Sequence, residues 1–139
     1  MTTTALDRLA PPPCAVLLGW KLLDAQTEAG TVRIGFEGKP EFSNPAGFVQ
    51  GGILTAMLDD TMGPAVFIKT DGRFYPSTIS LTVNFLAPAE VGSIVAEARV
   101  VQLGKAVAFM EGRLVNAAGT VLATATANAR LVDAEKVIR

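Results

Sequence analysis

Histidine is absent from this chain, and cysteine occurs only once, as Cys14. Without histidine, no Ser-His-Asp or Cys-His catalytic arrangement can exist within it. With a single cysteine besides, a structural zinc site lacks ligands and no metal is expected. One cysteine also forbids an intrachain disulfide, which fits a reducing cytoplasm as the expected location. Cys14 itself reads as a small buried hydrophobe rather than a nucleophile. Charge is scarce too: 18% of residues are ionic and the net charge is −1. No basic patch emerges, so nucleic acid is not an expected partner. No uninterrupted apolar run is long enough to span a membrane. The opening "MTTTALDRLAPPPCAVLLGW" has no basic leading region, and Asp7, Arg8 and three prolines break it, so it does not read as a secretion signal.

What remains is apolar. Half of the 139 residues are hydrophobic and the mean hydropathy is positive, which suggests surface buried between subunits. The length suits one domain, residues 1–139, with residues 1–14 expected to be loosely ordered. After the prolines, "CAVLLGWKLLDAQ" can begin as a helical turn and continue as a strand. "EAG" at 28–30 marks a turn, and residues 31–36 alternate Val32, Ile34 and Phe36 as a strand does. Residues 37–47 read as a loop. From about 51 to 69 the pattern is helical and apolar nearly all round, which predicts a buried helix that Pro64 kinks or ends early. An exit loop at 71–76 precedes strands at 77–87, 93–103, 106–116 and 120–132. Their short connections predict an antiparallel meander. The expected class is α+β, one long central helix wrapped by a curved antiparallel sheet.

The helix holds the chemistry. In "NPAGFVQGGILTAMLDD" (44–60), Gly52, Thr55, Asp59, Met62 and Gly63 share one small, polar stripe. Gly51 and Gly52 open the first turn, where backbone N–H groups lack partners, so this end is a candidate oxyanion or phosphate site. A Gly-Gly pair alone would read as a tight turn. A carboxylate set into an apolar helix calls for a partner or a function, and that favours the active reading.

This run resembles the signature of the hotdog-fold acyl-CoA thioesterases of the phenylacetate-degradation type. There, an Asn and a Gly precede His-Gly-Gly and a helix bearing an acidic residue. Asn44, Gly47, Gly51, Gly52 and Asp59 fall at matching places, and Gln50 stands where that family has its His. "TISLTVNFLAPAEVG" and "VVQLGKAVAFMEGRL" resemble the family's later strands, so the likeness spans about residues 15 to 131. The resemblance implies a thioester hydrolase that needs no cofactor, since coenzyme A is part of the acyl-CoA substrate. It implies that the Gly51 N–H polarises the thioester carbonyl and that Asp59 attacks it or activates water. Asn44 would orient water or carbonyl, Gln50 would hydrogen-bond without titrating, and Thr78 would assist the water. Gly52 and Gly63 would leave room for substrate. Lys105, in "LGK", would meet the coenzyme A phosphates, with Arg99 and Arg113 as further basic candidates.

Helix geometry adds a constraint. Gly51 and Asp59 are eight residues apart, roughly 12 Å at 1.5 Å per residue, so one helix cannot bring both to one carbonyl carbon. If both act, they come from two subunits of a homodimer, with a dimer of dimers as a further possibility. Asp60 reads as structural, held by a backbone or Arg partner, and Trp20 and the phenylalanines read as core. A non-catalytic acyl-CoA binder, with Gln50 marking lost activity, is the alternative. A hydratase ranks below both, because that chemistry resembles a pattern with a catalytic His.

Overall fold

A computed structural model of the chain describes residues 3–139; Met1 and Thr2, part of the stretch expected to be loosely ordered, lie outside the described residues. The rest of that stretch includes a short 3-10 turn, Ala5–Arg8, capped by Thr4, whose N–H donates to Asp7 Oδ2 at 2.6 Å. The turn docks Ala5 against Phe67.

Helix α1 (Pro13–Leu18) leads into strands β1 (Lys21–Gln26) and β2 (Thr31–Gly38). Next comes the long helix α2 (Gly51–Lys69), then β3 (Phe74–Phe85), β4 (Gly92–Leu103), β5 (Val107–Asn116) and β6 (Val121–Asp133), and finally the short α3 (Ala134–Val137). The six strands form one antiparallel sheet in the order β1-β2-β4-β5-β6-β3, curled around α2. The hotdog architecture expected from the sequence is present.

Two expectations about connectivity need correcting. Only β4, β5 and β6 form a meander. Strand β3 lies at the far edge beside β6, and the segment after it crosses the sheet end, where the Ala89 carbonyl accepts from Val49 N–H at 2.8 Å. Pro64 neither ends the helix nor splits it, since α2 runs on to Lys69. Lacking an N–H, Pro64 leaves the carbonyl four residues back, that of Asp60, without its helical donor. Trp20 Nε1 supplies the replacement at 3.1 Å.

Alternation explains the packing. Val32, Ile34 and Phe36 of β2, Ile94, Ala96 and Ala98 of β4, and Met110 and Leu114 of β5 are buried against α2. In β6 the inward positions Ala123, Ala125, Ala127 and Ala129 are all alanine, and they share one buried core with Met57, Leu58 and Met62 of the helix. The helix is not buried all round as its composition suggested: Gly52, Ala56 and Asp59 are exposed. Cys14 is exposed as well, because the inner face of α1 consists of Ala15 and Leu18. Among the described residues, no helix is long and apolar enough to cross a membrane.

Candidate active site

Strand β3 runs beside α2 and carries an irregularity that fixes the site. Thr78 pairs with Ala129 and Ser80 with Asn128, so Ile79 is an extra residue without a partner. Such a bulge shifts the alternation by one. Before it, Pro76 and Thr78 face the helix; after it, Leu81, Val83 and Phe85 do. Thr78 Oγ1 thereby reaches Asp59 and donates to its Oδ1 at 2.9 Å. Two residues named on sequence grounds, one in the helix and one in the strand, meet in one hydrogen bond.

The other end of the stripe is built by the loop. Asn44 Oδ1 accepts from the N–H groups of Ala46 (3.0 Å) and Phe48 (3.1 Å), while Gly47 takes φ +87° to close the turn. Asn44 therefore shapes the loop with its oxygen, and its Nδ2 is the group left to donate. Gln50 is the N-cap of α2: its Oε1 accepts from Ile53 N–H at 3.2 Å, and its carbonyl accepts from Ile53 and Leu54. This fold-back needs glycine two residues on, since a Cβ on Gly52 would stand 2.7 Å from Gln50 Oε1. With the cap satisfying the third N–H, the N–H groups of Gly51 and Gly52 have no acceptor within the helix. Thr55 Oγ1 donates to the Gly51 carbonyl at 2.8 Å.

Elsewhere the placements differ from expectation. Met62, counted on the open stripe, is fully buried in the core. Gly63 faces Pro76 of β3, the nearest atom to a Cβ there being 3.7 Å away; it marks close approach of helix and strand. Arg99 points to the outward face of the sheet and pairs with Glu111 at 2.5 Å, beside the Arg113–Glu97 pair at 3.1 Å. Arg99 does not approach Asp59 within this chain. Lys105 is exposed in the β4–β5 hairpin, at the end of the sheet where Thr78, Ala129 and Ala108 are aligned. Among the described residues, no group of three or more acidic or cysteine side chains is placed to hold a metal.

The carboxylate set into apolar surroundings is Asp60, not Asp59. Asp59 is exposed, whereas Asp60 is half-buried and its Oδ2 has no hydrogen-bond partner among the described residues. Neither the backbone nor the Arg partner expected for this carboxyl meets Oδ2 among the described residues, while the Asp60 carbonyl is held by Trp20. Burial, and then the neighbouring Asp59 charge, push the Asp60 carboxyl up from 3.8 to about 6. Between those two pH values the folded state holds a proton that the unfolded chain has released, so stability falls as pH rises through this window. Asp60→Asn should remove that loss. Because Asp60 keeps solvent contact, the gain near pH 7.5 should be on the order of 1 kcal/mol, about 4 °C in Tm. Thermal melts of both proteins at about pH 4 and pH 7.5 check this. An equal Tm difference at both pH values would contradict it.

Comparison with known proteins identifies the family. A family model described as the thioesterase superfamily matches residues 46–123, spanning the loop, helix α2, β3, β4 and β5. The chain belongs to the thioesterase superfamily. A phenylacetic acid degradation-related protein of Ralstonia eutropha is 36% identical, with a TM-score of 0.82 over 87% of this chain and 92% of its own. A thioesterase family protein of Silicibacter pomeroyi is 25% identical, with a TM-score of 0.83 over 93% and 96% of the two chains. The fold is shared with a Streptococcus mutans protein solved bound to acetyl CoA, at 20% identity and a TM-score of 0.73 over 82% and 89%. No curated protein sequence matches the chain. As a member of this superfamily the chain is a thioester hydrolase of hotdog fold.

The sequence reading missed Phe85. It counted the phenylalanines as core, yet this ring is 53% exposed and lies over the first turn of α2. The available signal was the unbroken alternation Leu81, Val83, Phe85 in "STISLTVNF", which puts Phe85 on the same side of the strand as the inward Leu81 and Val83.

Proposed function

We propose that this thioesterase hydrolyses a small aryl or short- to medium-chain acyl-CoA to the free acid and coenzyme A, with Asp59 as general base or nucleophile. The observation that carries the reading is the Asp59–Thr78 hydrogen bond on the open side of α2. It holds one carboxylate oxygen and leaves the other to act. In the general-base route, Asp59 takes a proton from water as the oxygen attacks the thioester carbonyl. The carbonyl oxygen accepts from Gly51 N–H, the C–S bond breaks, and the proton passes to the departing thiolate. In the nucleophilic route, Asp59 attacks the carbonyl and the C–S bond breaks to release the coenzyme A thiolate; water then cleaves the mixed anhydride to the free acid and Asp59. Asn44 Nδ2 would orient the carbonyl or the water, Gln50 would hold the N–H groups of the first turn in place, and Lys105 would meet coenzyme A phosphates. The acetyl CoA seen in the Streptococcus mutans relative supports the substrate class.

The active unit in this reading is a homodimer, expected in the cytoplasm. Gly51 and Asp59 sit roughly 12 Å apart along one unbroken helix. Strand β3 supports the pairing: it is a twelve-residue edge, and its backbone groups on that side lack partners in one chain. Its Tyr75 and Ile79 are exposed. Along β3, Asp59 stands by Thr78 and Gly51 by Phe85. Two such edges paired antiparallel about a twofold between Leu81 and Thr82 would bring the Asp59 of one protomer to the Gly51 of its partner.

Purified protein incubated with acetyl-, benzoyl- and octanoyl-CoA should release free thiol with saturation kinetics on at least one of them. Binding of all three without turnover would replace this reading with that of a non-catalytic acyl-CoA binder.

A further inference from the structure

We propose that Phe85 sets the acyl selectivity of the site, its ring forming the wall against which the acyl part of the thioester lies. The inference rests on the thioesterase reading above and adds a residue to it. Three observations carry it. Leu81 and Val83, the inward residues before Phe85, pack against the core, whereas Phe85 on the same side of the strand stays 53% exposed. A large aromatic surface held toward the helix but not covered by the core is open to a ligand. The second observation is proximity: a Cβ on Gly51 would meet Phe85 Cζ at 3.1 Å, Cε1 at 3.4 Å and Cε2 at 3.5 Å. The end of the ring thus lies directly beside the glycine whose N–H is free, and the absence of a side chain there lets it do so. Third, the bulge at Ile79 brings Phe85 to the same face as Thr78. Seven residues separate them, and a regular strand would turn them to opposite faces.

A carbonyl oxygen accepting from Gly51 N–H has its carbon within contact of this ring. Of the two groups on that carbon, the pantetheine arm must run outward to the solvated nucleotide. The acyl group is left to lie along the ring. A rigid flat wall at this point favours planar or short acyl groups, and its removal opens room for longer, flexible ones.

The test compares wild type, Phe85→Ala and Phe85→Leu by kcat/KM on acetyl-, benzoyl- and octanoyl-CoA, with thermal melts as the check of folding. The ratio of benzoyl- to octanoyl-CoA should fall by about tenfold or more in Phe85→Ala. Phe85→Leu, which keeps apolar bulk without the flat ring, should fall between the two. If Phe85→Ala does not fold, the leucine variant decides, and an unchanged ratio there overturns the proposal. The same factor lost on all three substrates would also overturn it, because it would place the ring on coenzyme A or in the scaffold. A wild type inert toward all three would overturn the thioesterase reading itself, and this inference with it.

Discussion

Asp59→Asn should abolish turnover, with kcat falling by at least about a hundredfold, while the protein folds and assembles as before. Asn differs from Asp by one atom and keeps an oxygen to accept from Thr78 Oγ1, so the 2.9 Å contact can persist. Asp59 is exposed on the helix, so the change touches no core packing. What disappears is the ability to take a proton or to attack a carbonyl. Asp60→Asn is the control, one residue on and equally conservative, and it should keep most of the activity. The two acids were separable on sequence only by the stripe they share with their neighbours. The structure adds the Thr78 donor to one and leaves the other with an unpartnered oxygen. Steady-state rates of both variants at matched stability check the assignment, and an inactive Asp60→Asn beside an active Asp59→Asn would reverse it.

Mixed dimers of two dead variants should recover activity. Asp59→Ala removes the acid, and Gly51→Val blocks the carbonyl site, since a side chain at 51 runs into the Phe85 ring. In a mixed dimer with shared sites, one site collects both lesions and the other collects neither. Each purified heterodimer should therefore approach about half the wild-type rate. If each site lay within one chain, every chain would carry a lesion and nothing would return. Asn44→Ala is a poorer partner for this test than sequence alone suggested, because Asn44 Oδ1 holds two loop N–H groups and its loss would disturb the loop as well as the site. Co-expression with two affinity tags isolates the heterodimer, and heterodimers as inactive as their parents would rule out the shared site.

Much of this was legible in the sequence, and the limits have physical causes. Helix α2 was readable to its ends because its glycines and its apolar run are local signals. The late strands were readable because their alternation is strong. Their order was not, since a six-residue connection can close a hairpin or cross the end of a sheet, and nothing local distinguishes the two. Asp59 and Thr78 were both singled out, but that they touch depends on one unpaired isoleucine, which a propensity reading absorbs into the strand. Burial of the acids was misjudged for a related reason. Helical position says which residues share a face, and only the surrounding sheet says which face is covered. The same applies to Cys14, Arg99 and Gly63, where residue type was suggestive and direction was decided by packing.

The bond from Trp20 to the carbonyl that Pro64 leaves free has one more consequence. This is the only tryptophan in the chain, and its indole is anchored to the helical turn that carries Asp59 and Asp60. The protein thus contains a built-in optical probe, a single indole wired to the backbone of its own candidate active site. Movement of that turn when a thioester arrives is readable as light, without any label being attached.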